Sequence, residues 1–182
     1  ALALSAPRES VAYFDRAFEA SAKANVEVSV ELHLARGRAN EILGEFARAD
    51  DDFTTALRRS RASGDARMEW DALHALGMLW AARDYARAVD YRRAALDVAR
   101  RIGDGALIAR SLNRVGNWHI NVEEPRAGLP YHEEALAIFE ASGDTRGIVE
   151  TVDLLAMAHH CAGDVRAAAH FYERSISLFK KT

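Results

Sequence analysis

The sequence has little of what breaks a chain into short pieces. Its 182 residues hold 3 prolines and 11 glycines, which leaves room for long helices and little for a turn-rich β fold. One cysteine, Cys161, cannot close an internal disulfide, so a stapled secreted scaffold is excluded and a reducing, cytoplasmic setting is expected. No apolar run approaches the roughly 18 residues that cross a bilayer, so no membrane partner is expected, and no charged-then-apolar leader opens the chain. With 24 Lys and Arg against 27 Asp and Glu, a net charge of −3, the chain lacks the basic excess of a dedicated nucleic-acid binder. What is present is a globular composition, 49% apolar and 28% charged, at a length that suits one domain. A preference for Arg and Ala suggests a GC-rich, bacterial source.

Internal repetition is the main signal. Gly37, Gly77, Gly116 and Ala156 form one column, and Phe46, Tyr85, Pro125 and Val165 another. The pairs Ala56-Leu57, Ala95-Leu96, Ala135-Leu136 and Ser175-Ile176 keep step, as does the junction Gly64-Asp65, Gly103-Asp104, Gly143-Asp144. The spacing throughout is 39 or 40 residues. Phe14, Ala17 and Phe18 extend the register backwards, with Asn25 in the Gly position, where Asn is the next-best left-handed residue. The 182 residues therefore read as a half unit, 8–24, followed by units 26–64, 65–103, 104–143 and 144–182.

Within each unit apolar residues recur at helical spacing, as in Leu73, Leu76, Gly77 and Trp80. Gly caps one helix and the following Asp caps the next. Pro125 and Pro7 fit first-turn positions. The pattern predicts helices over 8–23, 26–43, 46–62, 66–82, 85–102, 105–121, 126–142, 145–161 and 165–180. Gly37, Gly77, Gly116 and Ala156 on first helices, and Ala49, Ala88, Gly128 and Ala168 on second ones, mark expected close approaches.

Leu76-Gly77, Trp80, Tyr85, Ala88 and Ala95-Leu96 resemble the tetratricopeptide repeat. Units longer than its usual ~34 residues look like those of kinesin light chains, LGN-type spindle adaptors and the C-terminal halves of many bacterial transcription regulators. The resemblance implies an all-α, α-α superhelix fold of about nine antiparallel helices, with first helices lining a groove that holds a protein or peptide. It implies no catalysis, cofactor or metal. The groove residues it points to are Asp71, His74 and Met78 in the second unit, Arg110, Asn113, Asn117 and Asn121 in the third, and Glu150, Asp153, Met157 and His160 in the fourth. Asn113, Asn117 and Asn121 form a ridge of amides that could bind peptide backbone; the alternative is a solvated helix face. The first unit departs from the pattern. His33 and Arg36 stand where apolar residues belong, and the stripe Leu32, Ala35, Ala39, Ile42 predicts a rotated helix, so its groove residues are left unassigned. Lys23, Lys180 and Lys181 lie on no inner face, which argues against a lysine-based carboxylate clamp.

The chemistry-bearing residues read as structural. His119 and His159 share a repeat position that is normally aromatic core, and His160-Cys161 is not a ligand spacing. His132-Glu133-Glu134 lacks a second His, and Cys161 is expected to be buried. Arg58, Arg59, Arg61, Arg92, Arg93, Arg100 and Arg101 lie near acidic residues and are expected to pair locally. Two functions compete: a peptide-docking scaffold, and a sensor module of a larger regulator. The second is suggested by a start at Ala1, by a half unit without its partner, and by the broad face Val165, Phe171, Tyr172, Ile176, Leu178, Phe179. Such a face calls for further units or for a homodimer through the terminal helices.

Overall fold

The computed structural model describes residues 2–180, and side chains from residue 6 onward; Lys181 lies outside them. Among the described residues there are nine helices and no strand: α1 (Leu2–Lys23), α2 (Val30–Ile42), α3 (Phe46–Ser63), α4 (Ala66–Leu79), α5 (Tyr85–Ile102), α6 (Gly105–Asn121), α7 (Pro125–Ser142), α8 (Thr145–Cys161) and α9 (Val165–Phe179). The chain divides into two compact units, Ala1–Tyr91 and Arg92–Thr182.

The Gly-Asp junctions work as their chemistry demands. Gly64 adopts φ 72°, which lets its own N–H and that of Asp65 fold back onto the last carbonyls of α3. Asp65, Asp104 and Asp144 then accept from Met68 N, from Ala106 and Leu107 N, and from Gly147 N at the next helix starts. Two starts differ from the predicted ones by more than one residue. α2 begins at Val30 instead of residue 26, because Asn25 takes φ 52° and Ser29 caps the helix by accepting from Leu32 N. α1 runs through Pro7 rather than starting at it. So near the helix start, the missing N–H forfeits only one bond, to the carbonyl four residues back.

In the first unit the predicted stripe on α2 is corrected. Its buried residues are Leu34, Gly37, Ala39 and Asn40, whereas Ile42 is exposed. The reason is an ionic cluster. Asp52 of α3, 1% exposed, receives Arg36 Nη2 at 2.7 Å and Nε at 2.9 Å, Asn40 Nδ2 at 3.3 Å, and lies 3.2 Å from His33 Nδ1. Arg36 also reaches Asp15 of α1 at 3.0 Å and lies 3.5 Å over the Phe18 ring. His33 and Arg36 thus break the apolar pattern because a carboxylate is buried opposite them. Burial alone would push the Asp52 carboxyl up, but the hydrogen bonds from His33 and Arg36 outweigh it and hold it below its ordinary range.

In the second unit a neutral chain of hydrogen bonds ties three helices together. Thr151 of α8 donates to Gly147 O at 2.7 Å and accepts from Asn113 Nδ2 of α6 at 2.7 Å. Asn113 Oδ1 is thereby turned to His132 Nδ1 of α7, 3.0 Å away, which must be the donor. His132 Nε2, the unprotonated nitrogen, is then buried without a donor, against Gly116. Burial, with the nearby Arg114 charge, pushes this imidazole down to about 4. Apolar packing continues on either side: Leu96, Leu112, Val115 and Phe139 form one cluster, Leu136, Val152 and Leu155 another.

The close approaches fall where small residues were placed. A Cβ on Gly37 would collide with the Phe53 ring, and one on Gly128 would lie 2.5 Å from the Gly116 carbonyl oxygen. Ala49, Ala88, Ala156 and Ala168 are buried. Because backbone cannot yield as a side-chain tip can, Gly128→Ala should cost about 3 kcal/mol in overpacking, against roughly 1 kcal/mol gained in helix propensity. A net loss of about 2 kcal/mol is expected in urea denaturation.

The His132 shift makes stability pH-dependent. An unfolded histidine titrates near 6.5 and the folded one at about 4, so within that window the unfolded chain binds the extra proton. The contribution is complete above pH ~6.5 and is lost as pH falls towards 4, on the order of 3 kcal/mol. Urea midpoints measured from pH 7 to 4 should fall, and should fall less in His132→Phe.

Candidate peptide-binding surface

In the compact unit formed by residues 1–91, Asp71, His74 and Met78 share one face of α4. Asp71 accepts from Arg67 Nε at 3.4 Å, and the His74 ring stacks on Trp70 with centroids 4.9 Å apart and planes 15° apart. Met78 is exposed at the far end of the face. This strip is polar at one end and thioether-lined at the other.

The second unit brings α6 and α8 side by side, and here the predicted set divides. Asn113 is corrected: it is 1% exposed, and both ends of its amide are engaged by Thr151 and His132. It holds the surface up from beneath. The α6 ridge that does face outward is Arg110, Arg114, Asn117 and Asn121. Sequence spacing could not choose between Asn113 and Arg114, since steps of 3-4-4 and 4-3-4 both fit a 3.6-residue period. On α8 the facing residues are Glu150, Asp153, Met157 and His160, with Asp153 and His160 exposed and Met157 half-buried. Arg114 reaches across to Glu150 and bridges the two helices. Asn117 and Asn121 have no side-chain hydrogen bond among the described residues, and stand one helical turn apart, about 6 Å. That spacing approaches the ~6.5–7 Å between alternate residues of an extended peptide.

Beside the ridge a recess of about 240 Å³ is lined by Arg110, Phe139, Asp144, Arg146, Gly147 and Glu150. Arg110 and Arg146 enter no ion pair among the described residues, while Glu150 is occupied by Arg114 and Asp144 by the Gly147 N–H. The recess therefore offers two guanidiniums to an incoming carboxylate.

The histidines have structural partners. His119 stacks on Tyr131 at 5.5 Å and meets Glu124 at 3.2 Å; one repeat later His159 stacks on Phe171 at 5.3 Å and lies 3.8 Å from Asp164. No group of three or more His, Cys, Asp or Glu able to hold a metal occurs among the described residues. Cys161, expected to be buried, is exposed: it ends α8 at the position Asn121 holds on α6, where the side chain turns away from the core. Arg59, Arg61 and Arg100 pair with Glu27, Glu69 and Glu134 at 2.9, 2.9 and 3.6 Å. Arg92 is buried instead, donates to the Arg114 carbonyl at 3.1 Å, and burial, aided by the Arg114 charge, lowers it to about 10.

Residues 107–181 match the family model described as tetratricopeptide repeat. The match covers nearly all of α6 and the whole of α7, α8 and α9. No curated protein sequence matches. Among solved structures the chain is similar to BtubC (BKLC) from P. vanneervenii, with a TM-score of 0.77, 17% identity, and coverage of 98% of this chain and 73% of that one. It is similar to a Rap protein complexed with competence and sporulation factor, with a TM-score of 0.75, 18% identity, and 94% and 49% coverage. It is also similar to a STAND signal-transduction ATPase with a tetratricopeptide repeat sensor from Pyrococcus horikoshii, with a TM-score of 0.78, 18% identity, and 91% and 27% coverage. The chain thus spans about half of the Rap protein and about a quarter of the ATPase. The fold class expected from the repeat, all-α and of the α-α superhelix type, is that of these neighbours. No helix among the described residues is long and apolar enough to cross a membrane.

The two kinds of asparagine can be told apart by stability. Asn113→Ala leaves His132 Nδ1 and Thr151 without their partner, and should cost about 2–3 kcal/mol by urea denaturation. Asn117→Ala with Asn121→Ala should change it by less than about 0.5 kcal/mol.

Proposed function

We propose that the α6–α8 face docks an extended peptide segment of a partner protein, and that the chain is a non-catalytic interaction module. The observation that carries this reading is the pair Asn117 and Asn121, whose side-chain amides make no hydrogen bond among the described residues and stand at a spacing suited to peptide backbone. Arg110 and Arg146 would favour an acidic residue beside the α8 start, and Met157 an apolar one further along. Arg114–Glu150 holds the two helices at a set separation. The Rap neighbour, solved with a bound factor, supports peptide recognition on this fold. The tetratricopeptide family, whose model residues 107–181 match, is typically non-catalytic, which supports the interaction-module reading.

A second reading, a sensor segment within a larger regulator of the cytoplasm, is favoured by the ATPase neighbour, of which the chain spans 27%. Peptide docking would be its input, so the two readings share one surface. Nucleic acid and membrane are not proposed as direct partners.

A peptide library displayed on phage and selected on the immobilised chain tests the docking surface. Selected peptides should lose roughly 10–100-fold in affinity for Asn117→Ala with Asn121→Ala, the worth of two hydrogen bonds. Charge reversal by Arg110→Glu with Arg146→Glu should select against acidic peptides. Unchanged affinity in the asparagine variant would remove α6 from the site.

A further inference from the structure

The repeat position of His119 and His159 is held by Leu79 and Asn40 in the earlier units, and the acidic residue five places on is Asp164, Glu124, Asp84 or Glu45. Three of these four carboxylates meet a partner within the chain. Asp84 accepts from Arg87 N at 2.9 Å, Asp164 accepts from Ala167 N at 3.1 Å, and Glu124 lies 3.2 Å from His119 Nδ1. Glu45 neither caps α3 with its side chain nor enters an ion pair among the described residues. Asn40 cannot serve it as His119 serves Glu124. An ionised carboxylate only accepts, so Asn40 turns its Nδ2 to Asp52, at 3.3 Å, and keeps its acceptor for the other side. Asn40 is 0% exposed, and its Oδ1 is buried with no donor in reach. An amide oxygen in that state costs free energy until something donates to it.

Asn40 and Glu45 line one cavity of about 300 Å³ between α1 and the α2–α3 turn. Val11 and Leu43 give it an apolar wall, and Arg8 stands on its lining with no ion pair among the described residues. Asp15 and Arg48, also on the lining, are already joined to each other at 2.9 Å, and Asp15 holds Arg36 as well. The groups left unspent are one guanidinium, one carboxylate and one buried amide oxygen. The charges of the lining cancel, which favours a ligand that carries both signs over a simple anion or cation. We infer that this cavity binds a small zwitterion, a free α-amino acid with a short apolar side chain. Its ammonium, with three N–H donors, serves Glu45 and Asn40 Oδ1 together. Its carboxylate meets Arg8, and its side chain lies against Val11 and Leu43. At roughly 30 Å³ for each water-sized group the cavity has room for about ten, and leucine has about nine non-hydrogen atoms. None of these residues belongs to the proposed peptide surface, so either reading can fail without the other.

Leucine titrated into the chain, followed by calorimetry and amide NMR, should bind saturably with a Kd of about 1 mM. The Asn40 side-chain amide and the Leu43 backbone resonance should move with it. Glu45→Gln and, separately, Arg8→Ala should each weaken binding at least roughly tenfold, the loss of one bond to a charged group. Neither variant should shift the urea midpoint by more than about 0.3 M, since neither side chain has an intrachain partner to lose. N-Acetylleucine lacks the ammonium and isopentylamine lacks the carboxylate; both should bind at least about tenfold more weakly than leucine. Resonances unmoved at about 20 mM leucine would show that water alone fills the cavity, and would overturn the inference. Leucinamide binding as tightly as leucine would also overturn it, because the site would then read the amino terminus of a peptide instead of a free amino acid.

Discussion

A second helix in this fold carries more apolar surface than its own hairpin can cover. α7 shows the consequence: its own hairpin receives His132 at Gly116 and holds Phe139 against Leu112 and Val115, while α8 covers Leu136 and brings Gly147 onto the Phe139 ring. Burial of a ring the size of phenylalanine is worth about 2–3 kcal/mol, so hairpins gain their stability in sequence, each completing the one before it. The same constraint dictates residue size. Rings on second helices cross first helices at Gly37, Gly116 and Gly147, where any side chain would hold the backbones apart.

The interior is polar to a degree that apolar stacking does not require, and the two units solve this differently. In the first, a buried carboxylate is surrounded by a guanidinium, an imidazole and an amide, enough partners to offset desolvation of Asp52. In the second, the chain from His132 through Asn113 and Thr151 to the Gly147 carbonyl is neutral and directional, with each donor finding one acceptor. Such networks tolerate little slippage. Their effect is to set the rotation of α6 and α8 about their axes, and therefore which residues of those helices face outward. The outward ridge Arg110, Arg114, Asn117, Asn121 follows from Asn113 being held inward.

The hairpins, their junctions and their close contacts were legible in the sequence because they depend on local chemistry and on one periodicity. Gly64 closes α3 and Asp65 opens α4 by bonds made within a few residues. Gly128 lies against Gly116 because both occupy columns of small residues. The candidate surface was only partly legible. Asn117, Asn121, Glu150 and Asp153 stand on the outward side, whereas Asn113 does not and Arg114 was missed. A hydrophobic period tolerates a rotation of one residue, and the partner that decides the matter, Thr151, lies 38 residues away.

The same division separates the remaining cases. Composition and the 39–40-residue register determined that the chain is helical, where each hairpin turns, and which columns must stay small, because propensity, capping and backbone sterics act over one or two turns. The burial of Asp52 beneath Arg36, the inward amide of Asn113, and the exposure of Cys161 and of Ile42 were decided only by tertiary structure. Each depends on whether another helix lies alongside, and local sequence carries no information about the charge, size or presence of a neighbour that arrives from elsewhere in the chain.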